Sequence, residues 1–168
     1  MKKALFFLLI STISFAQTLQ KDDSGKFKLD SIVNSPLKKE FLYSNALSWL
    51  SSNFKDSRNV IETKDADSGE IIFKGNLPDK VNVTLKNGKQ TLADTRLYFT
   101  GKIITKDEKF RIIFSDLKYS YITPNLYTEL ATREIKKDDI YNEKNLVNLD
   151  SMVKDIARAL NKKADNDF

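Results

Sequence analysis

The sequence predicts an α+β fold in which an antiparallel sheet is covered on one face by two helices. Three observations lead to this reading. One stretch, Leu37 to Phe54, repeats its apolar residues at a helical period and holds the only tryptophan, Trp49. The segments around it, Phe27 to Val33 and Arg58 to Tyr121, alternate apolar and polar residues between turn signals. The helical period then returns after Leu146.

In chain order, Lys21 to Lys26 is a polar turn, and Phe27 to Val33 is a strand with Phe27, Leu29, Ser31 and Val33 on one side. On the helix that follows, Leu42, Tyr43, Ala46, Leu47, Trp49, Leu50 and Phe54 share one arc, while Glu40, Ser44, Asn45, Ser48, Ser51 and Ser52 take the other. Ser35-Pro36 marks its start, an oxygen able to cap free amides followed by a residue tolerated at the first helical position. Arg58 to Asp65 and Glu70 to Gly75 read as a hairpin across Asp65 to Gly69.

Asn76 to Lys80 reads as a Pro-containing loop, and Val81 to Lys86 with Lys89 to Leu92 as a separate ribbon turned by Asn87-Gly88. Arg96 to Thr105 and Lys109 to Tyr121 are the strongest strands, placing Leu97, Phe99 and Ile103, and Phe110, Ile112 and Phe114, beneath the helices. Thr123 to Asn145 is expected to be a long connection with a helical turn at Leu126 to Ala131. From Leu146 to Asn161, Leu149, Val153, Ile156 and Leu160 form a stripe backed by Met152, Ala157 and Ala159; a polar tail ends the chain.

The first residues have the form of an export signal. Lys2-Lys3 precede an apolar run from Ala4 to Ile10 that continues through Ile13, and Ser14-Phe15-Ala16 supplies the small residues of a cleavage site. The expected organisation is therefore a signal peptide over 1–16 and a single domain over 17–168, with its core at about 27–121 plus a C-terminal helix at 146–161. The run is too short to span a bilayer, which takes about 20 residues. Cysteine is absent, which excludes disulfides and a lipid-bearing cysteine. Histidine is absent too, which removes the usual zinc ligand and the usual general base near neutral pH. The net charge of +5 includes the two leader lysines, so nucleic acid is not implied.

No stretch forms a catalytic or metal-binding signature. Asp65, Asp67 and Glu70 begin like a calcium loop, but Gly69 comes one place early and Asn76 stands where such a loop needs a bidentate glutamate. A hairpin turn accounts for the same residues, and Asp22, Asp23 and Gly25 read alike. Ser35 and Ser44 have no histidine partner, which leaves only a Ser-Lys arrangement for nucleophilic chemistry. No cofactor or metal is expected.

Certain residues are more telling than composition: LYSNALSWL at Leu42 to Leu50, VIETKDADSGEIIFKG at Val60 to Gly75, and Lys109-Phe110-Arg111 opening a long strand. These resemble an exported bacterial family described as a domain of unknown function with a fold like that of the TATA-binding protein (TBP-like). The resemblance covers roughly Phe27 to Tyr121. It implies a curved antiparallel sheet in the order β-α-β-β-β-β-α with both helices on one face, leaving an extra hairpin near Val81 to Leu92 open, and it carries over no catalytic residue.

The expected function is that of an exported, non-catalytic domain binding a protein, peptide or glycan in the cell envelope. The alternative is a small exported hydrolase using carboxylates or a Ser/Lys pair without metal. Alternation that sends Leu97, Phe99 and Ile103 inward sends Arg96, Tyr98, Thr100 and Lys102 outward, where Arg111, Ile113 and Ser115 join them. Arg96, Tyr98, Lys102 and Arg111 are therefore the candidate partner-binding residues. A solvated sheet face accounts for the same cations without a ligand, and at this point both readings stand.

Overall fold

The structure, a computed structural model, describes residues 18–54, 57–84, 88–121, 131–134 and 142–162. Residues 1–17, where the export signal is expected, the residues 85–87 that contain Asn87, the expected helical turn at 126–130 and the tail from 163 lie outside these. The elements are β1 (Thr18–Lys21), β2 (Phe27–Asn34), α1 (Lys39–Asn53), the short α2 (Ser57–Val60), β3 (Ile61–Asp65), β4 (Glu70–Thr84), β5 (Gln90–Lys106), β6 (Lys109–Tyr121), β7 (Ala131–Glu134) and α3 (Asn142–Leu160).

All strands join one antiparallel sheet in the order β1-β2-β6-β5-β4-β3, with β7 also paired to β6. The helices α1 and α3 lie against each other on one face, α1 also over β5 and α3 over β2. Most of the expected inward residues are buried, and Phe27, Tyr43, Leu47, Phe54, Met152 and Ala159 are partly so. Leu42, Ala46, Trp49 and Leu50 of α1 and Leu149, Val153, Ile156 and Leu160 of α3 meet Leu29, Val33, Leu97, Phe99, Ile103, Phe110, Ile112 and Phe114 of the sheet.

Several expectations need correction. The loop at Asn76 to Lys80 does not exist, and the hairpin expected from Val81 to Leu92 is present as the end of a longer one rather than as a separate ribbon, because β4 and β5 pair without interruption from Glu70↔Ile104 to Thr84↔Gln90. Pro78 is tolerated within this long hairpin since β3 pairs β4 only as far as Phe73; beyond it β4 is an edge among the described residues, where a missing donor breaks no ladder on that side. The strand expected from Arg58 begins instead with the turn of α2, and the connection after Thr123 contains β7. A further strand, β1, precedes the expected first one and is joined to it by the Lys21 to Lys26 turn, where Asp22 Oδ1 accepts the amides of Ser24 and Lys26 at 2.9 Å each.

The start of α1 is also not as expected. Ser35 Oγ accepts only the Leu37 amide, at 3.2 Å, and Pro36 lies before the helix. The free amide of Lys39 donates instead to Asp107 Oδ1 at 3.0 Å, from the turn between β5 and β6. That turn is bound to the same connection twice more, by Ser35 N to Glu108 O at 2.8 Å and Glu108 N to Leu37 O at 3.0 Å. Glu108 has φ 63°, a left-handed conformation that costs an L-residue roughly 1–2 kcal/mol. The three bonds hold it there.

A bulge sets the far end of β6. Tyr98 opposes Lys118 but Thr100 opposes Ser115, so β6 carries an extra residue, Asp116, at φ 51°. Phe110, Ile112 and Phe114 face the helices before it, and Leu117 does so after it, so the inward parity shifts by one. β2 pairs β6 before the bulge and β7 pairs it beyond, on successive parts of the strand.

The centre of the core is aromatic. Phe73 packs edge-on against Trp49, Phe54, Phe99 and Phe114 at centroid distances of 6.2, 5.9, 6.2 and 6.3 Å, and Phe99 and Phe114 stand 5.0 Å apart. Two of these rings lie over glycines directly opposite them, Phe73 over Gly101 and Phe99 over Gly75. A Cβ on Gly101 would sit 2.3 Å from the Phe73 ring, and one on Gly75 2.5 Å from the Phe99 ring. The absent side chains are the space that the rings occupy.

Two stability predictions follow from this packing. Trp49→Ala is expected to cost about 3–5 kcal/mol in denaturant melts, and a loss below about 1 kcal/mol would mean the indole is not a core anchor. Gly101→Ala, which adds one methyl group, is expected to destabilise by about 1–3 kcal/mol because the Phe73 ring has nowhere to go. An unchanged urea midpoint for Gly101→Ala would refute the ring-over-glycine account.

Candidate functional site

Two regions of the surface bring polar and apolar side chains together in an organised way. The first is the helix-free face of the sheet. Arg96, Tyr98, Lys102 and Arg111 all lie on it, as alternation requires, and neighbouring rows read Asp30, Ile113, Lys102, Ile72 and Ile32, Arg111, Ile104, Glu70 across β2, β6, β5 and β4.

The cations on this face are held by acceptors of the sheet itself. Arg111 donates to Asp30 through Nε at 2.7 Å and Nη2 at 2.6 Å, a bidentate pair, and Lys28 approaches the same carboxylate at 3.4 Å. Lys102 pairs with Glu70 at 3.0 Å, and Arg96 donates to Asn76 Oδ1 at 2.6 Å. In each case the cation stands two residues before the one directly opposite its acceptor. All three contacts therefore run along the same diagonal, the one a sheet of single twist brings close. Between them sit the half-buried Ile72, Ile104 and Ile113, with Ile32 at 62% and Tyr98 at 36% exposure.

Alternation therefore locates the donors, but not their acceptors. Asp30, Glu70 and Asn76 become visible only once the register is known. The turn at Asp65 is a local hairpin feature, its Oδ1 accepting the amides of Asp67 at 2.9 Å and Ser68 at 3.2 Å. Gly69 there has φ 73°, and a Cβ would meet Thr105 O at 2.4 Å. Among the described residues no group of three or more acids is placed to hold a metal ion, and no helix is long and apolar enough to cross a membrane.

The second region is a cleft of about 570 Å³ at the end of α1. Trp49, Asn53 and Phe54 of α1, Asn76, Leu77 and Pro78 of β4, and Asn148, Ser151, Met152, Asp155 and Arg158 of α3 line it. Trp49 Nε1 donates to Asp155 Oδ2 at 2.8 Å, and Asn53 Nδ2 to the Trp49 carbonyl at 2.9 Å, so the wall is tied across both helices. Asn45 ties them again, donating to the Leu160 and Lys162 carbonyls that end α3. No sequence motif announces this cleft.

The pair of Asp30 and Arg111 has an electrostatic consequence. The two Arg111 hydrogen bonds hold the Asp30 carboxyl below its ordinary 3.8, against the opposing effect of burial, and the same contact pushes Arg111 up. The unfolded chain lacks the pair, so its stabilisation is complete above the ordinary carboxyl pKa and is lost as the pH falls through the lower folded value. Thermal melts are expected to be flat from pH 7 to about pH 4.5 and to fall below that, with a lower plateau and a shallower acid limb for Asp30→Asn. An acid limb equally steep in Asp30→Asn would show that the pair contributes nothing.

Comparison with known proteins agrees with this architecture. A family model described as a domain of unknown function (DUF4468) with TBP-like fold matches residues 30–120. The crystal structure of a DUF4468 family protein from Bacteroides ovatus superposes with a TM-score of 0.65 at 15% identity, over 88% of this chain and 93% of that one. That of a TBP-like protein from Parabacteroides distasonis gives 0.56 at 15% identity, over 83% and 95%. No curated protein matches. With the family model covering more than half of the chain and the sheet and helices arranged as described, the protein belongs to the DUF4468 family of bacterial domains with a TBP-like fold.

Proposed function

We propose that this DUF4468 domain is an exported, non-catalytic docking module whose helix-free sheet face receives a protein of the cell envelope. Export rests on the leader, Lys2-Lys3 followed by Ala4 to Ile10 and Ser14-Phe15-Ala16. The docking role rests on one observation: Arg96, Lys102 and Arg111 are fixed by acceptors on the same diagonal around an exposed tyrosine and Ile32.

Binding through long side chains costs about 0.5–1.5 kcal/mol for each one immobilised, and here that ordering is already in place before a partner arrives. Arginine and tyrosine beside half-buried isoleucines is the composition of a protein-binding patch. A phosphate backbone suits the face less well, since it would have to compete with Asp30, Glu70 and Asn76 for the same donors. Asp30, held low by Arg111, is not suited to the role of general acid, which needs a raised pKa.

The test is affinity capture from the envelope fraction of the source cell. Two variants are compared with wild type, Arg96→Ser/Tyr98→Ser and the triple change that adds Arg111→Ser, because losing Arg111 also leaves Asp30 without its main partner. Proteins captured specifically by wild type are expected to fall about tenfold or more with the double variant at an unchanged melting temperature. Equal recovery of the same proteins, or no specific protein with wild type, would refute the proposal.

A further inference from the structure

We infer that the cleft between the end of α1, α3 and β4 is a binding site of its own, for an extended peptide segment ending in a free carboxylate. It lies on the helix side of the sheet, so it does not depend on the docking role of the opposite face. Its volume of about 570 Å³ is within the roughly 300–1,000 Å³ of sites that enclose small ligands.

The chemistry of the walls selects the ligand. Arg158 is exposed and makes no ion pair or hydrogen bond among the described residues, which leaves a planar, permanently charged fork suited to a carboxylate. Asp155 has one oxygen engaged by the Trp49 indole, so Oδ1 is left to accept a peptide N–H. The carboxamide of Asn148 can give and accept, matching the alternating donors and acceptors of a main chain, whereas that of Asn76 is engaged by Arg96 on the opposite face. Leu77 and Met152 supply apolar contact, methionine being able to adapt to different side chains.

The position in the fold points the same way. Past Phe73, β4 has no strand on its outer side among the described residues, and the cleft opens along that stretch at Asn76 to Pro78. An extended segment lying there meets main-chain groups as well as side chains, although Pro78 offers no amide. A sugar fits less well. Trp49 is only 6% exposed and is held edge-on among Phe54 and Phe73, so no open aromatic face is available for a sugar ring.

Trp49 reports on its own site, because it is the only tryptophan and its N–H is bonded to a residue of the cleft. The protein is titrated with a pool of acetylated hexapeptides carrying Leu, Val or Met at alternate positions and a free terminal carboxylate, while Trp49 emission is followed. The same pool with amidated ends and a mixture of neutral oligosaccharides serve as comparisons. A saturable emission change is expected with the carboxylate pool. It should be weakened about tenfold or more by amidation and by Arg158→Gln, at an unchanged melting temperature. The inference is overturned by the absence of a saturable change up to millimolar peptide, by equal binding of the amidated pool or of Arg158→Gln, or by a response to the oligosaccharides alone. Amidation alters only the ligand, so it decides the question even if the variant folds poorly.

Discussion

Phe73 and Phe99 lie across the β4–β5 ladder from Gly101 and Gly75, each ring filling the space that a side chain on the opposite glycine would take. The rest of the structure depends on this exchange. It brings two phenylalanines flat enough against the sheet for Phe54, Phe114 and Trp49 to close around them, and it locks the register of the two longest strands. A slip of one residue would turn every inward side chain outward and set rings against side chains. Because β5 pairs β6 and β6 pairs β2, the same register is passed to the diagonals of the open face. The placement of Arg111 on Asp30 and of Lys102 on Glu70 is thus a consequence of core packing, with the two faces linked through the sheet.

Much of this was legible from residues that bury one face of a regular element. Leu42, Ala46, Trp49 and Leu50, and likewise Leu149, Val153, Ile156 and Leu160, repeat at a helical period because each has to meet the sheet. What was not legible depends on edges and register. Gly75-Asn76 and Pro78-Asp79 have the composition of turns, yet an edge strand accepts both, and β4 runs through them. The shift from Phe114 to Leu117 breaks simple alternation, and only the left-handed Asp116 explains it. Short strands such as β1 and β7 carry too few residues for a period to be read.

The two candidate sites divide in the same way. Parity alone sent Arg96, Tyr98, Lys102 and Arg111 to the open face, but their acceptors come from other strands, and no local pattern names a partner 81 residues away, as Asp30 is from Arg111. The cleft at Trp49 is assembled from the end of one helix, the flank of another and a strand edge. Its residues are ordinary in each segment, and become a site only when the three are brought together.

The capping of α1 by Asp107 also bears on how the chain folds. The amide of Lys39 waits for an oxygen 68 residues further on, and the Leu37 carbonyl for the amide of Glu108. The helix that carries the tryptophan therefore cannot be completed from its own neighbourhood; its first turn is satisfied only when the hairpin that ends one strand and begins the next has formed and arrived. Closure of a loop that long comes before the contacts that reward it, which places the fold among those limited by non-local pairing. As the chain emerges from its N-terminus, the half that comes first is the half that has to wait.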